Sequence, residues 1–150
     1  MIQSQGYRGY LSSRPFWGER VPQHVQNLVI RNYCKDNNLR FLLSSVEVVM
    51  PNTYMILENL LEQLDDIEGI VCYSMFQLHH EKHLRMKVYS TILSKSKSLH
   101  FAVEGLSLSS YQDVVRIDNI LCVKNVMSNA LGVDALRKGI KVAAATGTMK

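Results

Sequence analysis

Gly69-Ile70-Val71-Cys72-Tyr73 is an uninterrupted apolar run opened by a glycine and followed by Ser74. A run this short, apolar at every position, is the pattern of a strand covered on both faces in the middle of a parallel sheet. The segments on either side fit that reading. Upstream, Tyr54, Leu57, Leu61 and Leu64 recur at helical spacing behind a break at Pro51 and Asn52, and Arg40 to Val46 (RFLLSSV) reads as a strand. Before it, Pro22 fits the first turn of a helix carrying Val25, Leu28, Val29 and Tyr33 and closed by Asn37 and Asn38, and Gly6 to Ser12 (GYRGYLS) is a first strand. Downstream, Glu81 to Ser94 forms a helix with Leu84, Val88 and Ile92 on one face, and Leu99 to Val103 (LHFAV) is a strand. Ser110 and Asp113 then make a capping-box-like start to a last helix through Val114, Ile117 and Leu121.

Strands separated by helices imply crossover connections. The expected fold is therefore α/β: a three-layer sandwich with a mostly parallel four-stranded sheet and helices on both faces. One domain is expected over residues 1–127. From 128 to 150 the texture changes to Gly, Ala, Lys and Thr, which reads as a tail or a short terminal helix.

The chain has 150 residues, 47% hydrophobic and 20% charged, with a mean hydropathy near zero, the composition of a globular domain. Its net charge is +4, yet 13 Lys and Arg face 12 Asp and Glu up to Met127, so the basicity sits mostly in the tail. A near-neutral body gives counterion release little to work with and argues against nucleic acid as a partner. Cys34, Cys72 and Cys122 are odd in number and far apart, which indicates neither a disulfide framework nor a zinc cluster and reads as reduced, mostly buried thiols. Neither a signal-peptide pattern nor an apolar run near the roughly 18 residues of a membrane span is present, and a cytoplasmic location is expected.

In a parallel sheet the polar residues just after each strand converge on one edge, where such sheets bind ligands. These are Ser12, Ser13 and Arg14 after the first strand, Glu47 after the second, Ser74 and Gln77 after the third, and Glu104 after the fourth. Arg20 in the following loop, with the helix start at Pro22, Gln23 and His24, adds a guanidinium and free backbone N–H groups that favour a phosphate or carboxylate. Candidate catalytic groups are Ser12 or Ser13 as nucleophile, His24 as base, and Glu47 with Glu104 as an acid/base pair. Candidate binding groups are Arg14, Arg20, Gln23, Ser74 and Gln77. The competing reading is that the arginines pair with Glu19, Glu47 or Glu104 and only hold the loop. His79 and His83 stand four apart, a metal-pair spacing on a helical face, but the run HHEKH fails the H-E-x-x-H pattern and no metal is expected. Neither a phosphate-cradling loop nor a dinucleotide fingerprint is present, and no cofactor is expected. Tyr7, Tyr10, Phe16 and Trp17 surround the first strand and loop, where they stack on a ligand, bury the loop or form a subunit contact.

The stretches GYRGYLSSRPF, VPQHVQNLVIRNYC, YSMFQL and AVEGL together resemble the sporadic carbohydrate cluster protein family over roughly Gly6 to Val126. That resemblance implies a setting in bacterial surface-polysaccharide or related sugar biosynthesis without implying a reaction. The order of elements also resembles the catalytic domain of serine recombinases and resolvases, which implies a resolvase-like fold. On that alignment Ser12 takes the nucleophile's place, and Gln23 or Gln26 lies where that family has glutamines. The family's arginine two residues before the serine is replaced here by Tyr10, and its D-R-L-x-R run by Phe76, Gln77, Leu78, His79 and His80. Loss of cations that stabilise a phosphoryl transition state argues against DNA cleavage. The expectation is a protein that binds or modifies an anionic sugar metabolite, a sugar phosphate or nucleotide sugar, at the sheet edge. The alternatives are a non-catalytic, homo-oligomeric interaction protein of the same pathway and a degenerate recombinase-like nucleic-acid binder.

Overall fold

The computed structural model describes residues 5–13, 15, 20–47 and 54–126. Nine main elements follow in chain order: β1 (Tyr7–Ser12), α1 (Gln23–Asp36), β2 (Phe41–Glu47), α2 (Met55–Glu62), β3 (Gly69–Cys72), α3 (Lys82–Ser94), β4 (Ser98–Phe101), β5 (Leu106–Leu108) and α4 (Tyr111–Val126). The sheet order is β2-β1-β3-β4-β5. Every pairing is parallel except β4 with β5. The expected α/β fold with a mostly parallel sheet is therefore present, with five strands instead of four. The extra strand, Leu-Ser-Leu, is three residues long and returns from β4 through a turn at Gly105, whose φ is +65°. It is too short to carry a periodicity of its own.

Strand alternation divides the core into two layers. Leu11 and Val71 point to one face, where they pack with Ile30 and Cys34 of α1. Tyr10 and Glu47 point to the other, where the backbone N–H of Leu57 in α2 bonds Glu47. Both α2 and α3 lie on that second side, contacting β2 and β4 respectively and each other. β3 is buried at all four positions, as its unbroken apolar sequence requires.

The stripe on α1 is rotated from expectation. Gln26, Ile30 and Cys34, spaced by four, are the buried positions, while Leu28 is 60% exposed. Close approach of α1 depends on Gly9, because a Cβ there would collide with Ser44 Oγ and lie 3.3 Å from Ile30 Cγ2. At the other end of the body, the Ser110 and Asp113 capping box is formed: Ser110 N donates to Asp113 Oδ2 at 3.2 Å and Asp113 N to Ser110 Oγ at 3.4 Å.

The chain divides into two compact units, Met1–Val114 and Val115–Lys150. The first holds the whole sheet. The described part of the second is the remainder of α4, with Ile117 and Leu121 buried and Val115 and Val123 exposed. The expected tail, 128–150, lies outside the described residues, as do Pro51 and Asn52. Among the described residues no helix is long and apolar enough to cross a membrane.

Two of the three thiols are buried, and Cys122 is exposed. Burial pushes the Cys34 thiol up to about 11 and the Cys72 thiol up as well, the latter helped by the negative charge of Glu104. An aromatic disulfide reagent at pH 8 should therefore modify Cys122 rapidly in the native protein and reach Cys34 and Cys72 only on unfolding. Rapid reaction of a second thiol would contradict this packing.

Candidate functional site

β1 and β3 end side by side, with Tyr10 in register with Cys72, so the residues just beyond them share one edge. Gln26 enters this edge from the first turns of α1 and is completely buried. Its Oε1 accepts from Ser12 N at 3.2 Å and from Gln77 Nε2 at 2.7 Å; its Nε2 donates to Ser12 O at 2.7 Å and Val21 O at 2.9 Å. A carboxamide has two donor hydrogens and two acceptor sites, and here all four are used.

The network continues through β3. Gln77 Oε1 accepts from Ser74 N at 3.3 Å, and Ser74 Oγ caps a short 3₁₀ turn by accepting from Phe76 N at 3.2 Å. The same hydroxyl donates to Glu104 Oε2 at 2.8 Å, and Glu104 Oε1 accepts from Met75 N at 2.9 Å. A chain of bonds thus runs from the loop before α1 to the turn between β4 and β5.

Glu47 stands beside Ser12 in the β1–β2 register and is 1% exposed. Tyr10 O–H donates to its Oε2 at 2.9 Å. The N–H groups of Ile56 and Leu57, in the first turn of α2, donate at 3.1 and 3.2 Å. Three donors and the positive end of a helix compensate its burial.

The structure brings Ser12, Ser74, Gln77 and Glu104 into one network and sets Glu47 next to it. Ser12 is 2% exposed. Ser13 is half-buried, its Oγ donating to Glu47 O at 3.3 Å. Arg20, Gln23 and His24 are exposed at the start of α1. Arg14, Phe16, Trp17 and Glu19 lie outside the described residues. Gln26, the centre of the network, was not among the binding residues expected from strand ends; its spacing of four from Ile30 and Cys34 is the signal that places it on the buried face.

His79 precedes α3 instead of sharing a helical face with His83. It stacks on Tyr54 at a centroid distance of 3.7 Å, whereas His83 Nε2 pairs with Glu81 at 3.6 Å. Arg85, 5% exposed, fixes this segment by donating to the carbonyls of His79 and His80 at 3.2 and 2.6 Å. A cavity of about 200 Å³ lies between the starts of α2 and α3, lined by Tyr54, Glu58, His79 and Glu81 among others. Among the described residues no three His, Cys, Asp or Glu side chains come together to hold a metal.

No protein-family model matches the chain, and no curated protein matches it. The resemblance to the sporadic carbohydrate cluster family therefore rests on the quoted residues alone. Among solved structures, a resolvase-family site-specific recombinase from Streptococcus pneumoniae is similar, with a TM-score of 0.56 at 10% identity, over 91% of this chain and 98% of that one. At that identity the likeness establishes a resolvase-like fold.

Replacing Gln26 by Leu strands the buried polar groups of Ser12, Val21 and Gln77. It should cost about 2–4 kcal/mol in urea unfolding. Gln77→Leu should cost about 1–3 kcal/mol, and the double variant less than the sum, because the two share a bond. Losses under about 1 kcal/mol, or strict additivity, would contradict the network.

Proposed function

We propose that this chain uses a resolvase-like fold to bind an anionic sugar metabolite, a sugar phosphate or nucleotide sugar, in the cytoplasm. The observation that carries the reading is the fully satisfied Gln26 network. It fixes the end of β1 and the first turn of α1 in one position before any ligand arrives, and such preorganisation lowers the ordering cost of binding.

In this reading the buried groups Ser12, Glu47, Ser74, Gln77 and Glu104 hold the edge. Contact falls to Ser13, Arg20, Gln23 and His24, with Arg14 from the adjoining loop. Helix geometry leaves the N–H groups of Gln23 and His24 without intrahelical acceptors, and the exposed Arg20 supplies a planar fork for a phosphate or carboxylate. If a proton is transferred, Ser13 and His24 are the groups exposed enough to reach a ligand. The setting in sugar biosynthesis comes from the family resemblance.

Two features speak against nucleic-acid cleavage. On the resemblance to serine recombinases Tyr10 takes the place of their arginine, and its hydroxyl donates to the buried Glu47. A carboxylate beside Ser12 repels the phosphodiester that the recombinase reaction draws in. A second reading, a homo-oligomeric interaction protein, is favoured by the exposed Tyr111, Val115 and Val123 of α4, at 71%, 61% and 57%.

A thermal-shift panel of inorganic phosphate, sugar phosphates, nucleotide sugars and short duplex DNA separates these readings. A ligand at 100 times its Kd stabilises the native state by about 2.7 kcal/mol, a rise of about 5–10 °C for a chain of this size. One sugar class should raise the melting temperature of the wild type, and Arg20→Ala and Arg14→Ala should respond less. Stabilisation by DNA alone would favour the nucleic-acid reading. No shift with any compound would leave the interaction protein, to be examined by the mass of the species in solution.

A further inference from the structure

The opposite edge of the sheet, where the parallel strands begin, carries a second polar assembly. Tyr7, Gly69 and Ser98 lie in register across β1, β3 and β4. Gly69 between them has no side chain, and a Cβ there would lie 2.7 Å from the Tyr7 ring and against the Ser98 carbonyl. The gap lets Tyr7 reach over β3, so that its hydroxyl meets Ser98 Oγ at 3.1 Å. Ser98 Oγ is in turn 3.0 Å from His100 Nε2, because residues two apart on a strand share a face. On the far side of the imidazole, Nδ1 is 2.9 Å from the Tyr33 hydroxyl of α1. The rings of Tyr7 and Tyr33 meet His100 edge-on at 5.2 and 5.6 Å, which fixes its plane. Ser98 opens onto a cavity of about 390 Å³, also lined by Tyr7, Glu68, Lys97 and Ser109.

We propose that Ser98 and His100, with Tyr33 behind them, form a nucleophile–base pair that accepts an acyl group from a small polar ester or thioester bound in this cavity. The proposal is independent of the anion site at the other edge.

The hydrogen bonds admit one consistent sense for this role. Tyr7 O–H donates to Ser98 Oγ, Ser98 O–H to His100 Nε2, and His100 Nδ1–H to the Tyr33 oxygen. Tyr33 is a positioning residue, since by accepting from Nδ1 it leaves the Nε2 lone pair facing the serine. Its own phenol is pushed above the usual range, first by burial and then by Cys34 and Tyr7, so it stays neutral. In the reaction Ser98 Oγ bonds to the carbonyl carbon while its proton moves to Nε2. Collapse of the tetrahedral adduct breaks the carbon–oxygen or carbon–sulfur bond, and the leaving alcohol or thiol takes that proton. Water then attacks the acyl-serine, giving a proton to Nε2 that returns to Ser98 Oγ as the acid departs. Lys97, on the wall of the cavity, supplies positive charge for the oxyanion.

Burial holds the His100 imidazole down at about 4. It is neutral at working pH and able to accept a proton, but it is a weak base. That weakness limits the pair to activated acyl groups and excludes amides. The groups against it are Tyr7 from β1, Ser98 of its own strand and Tyr33 from α1. β3 and β5 place the uncharged Val71 and Ser107 in register beside it.

The test is acetylation of the full chain by p-nitrophenyl acetate, followed by intact mass and peptide mapping. The expected result is a burst of one p-nitrophenolate per chain with the acetyl group on Ser98, absent in Ser98→Ala. It should be at least about 100-fold slower in His100→Asn and about tenfold slower in Tyr33→Phe. The rate should persist to pH 5 and halve near pH 4. Each variant is first shown to keep a cooperative melt, and Tyr33→Phe, which preserves the ring, keeps the test decisive if His100→Asn does not fold. The proposal is overturned by no burst, by acetyl on any other residue, by a Ser98 burst that survives loss of both His100 and the Tyr33 hydroxyl, or by an inflection at the ordinary histidine value of about 6.5.

Discussion

The side-chain carboxamide of Gln26 is the constraint on which the carboxyl edge of this sheet depends. Buried without partners, it would cost several kcal/mol; with all four of its hydrogen-bonding positions filled it becomes a rigid connector. Two of its bonds close on the main chain of Ser12, one on Val21 and one on Gln77. The end of β1, the entry to α1 and the turn after β3 are therefore set by one side chain. Through Ser74 the same set of bonds reaches Glu104, beyond β4. Removing any member leaves a donor or acceptor in a dry environment, so the edge holds together or fails as a unit.

Charge at this edge is arranged around the end of β1. Ser12 closes β1 and is 2% exposed. Around it stand a buried carboxylate, a tyrosine hydroxyl bonded to that carboxylate and a helix start directed at it. Two of the described arginines are tied elsewhere: Arg8 to Ser45 and Gln63, and Arg85 to two carbonyls ahead of α3. The polar residues after the strands serve first to satisfy one another, and the groups exposed at the edge belong to the start of α1.

Much of this was legible in the sequence because hydrophobic periodicity reports burial directly. The run Gly69 to Tyr73 marks the central strand, and Leu57 in α2, or Val88 with Ile92 in α3, mark the inner faces of their helices. What periodicity cannot show is a polar residue buried by its partners. Leu28 is exposed and Gln26 is buried, the reverse of their hydrophobicity, because the four bonds made by Gln26 outweigh the gain from covering one leucine. β5 escaped detection for want of length. The spacing of four between His79 and His83 does not put them on one helical face, because α3 starts at Lys82, three residues after His79. Tyr7, Tyr33, Ser98 and His100 span positions 7 to 100 of the sequence and meet only through the tertiary fold, which no local pattern reveals.

The most direct test of the central role of Gln26 is hydrogen exchange of its side-chain Nε2 protons and those of Gln77, followed by NMR under native conditions. A closed network requires these protons to exchange only through global unfolding, with an opening free energy equal to that of the slowest backbone amides of β3. Exchange at the rate of a free glutamine side chain in the native protein would mean that the carboxamides face water, and the edge would then lack the connector on which this account rests.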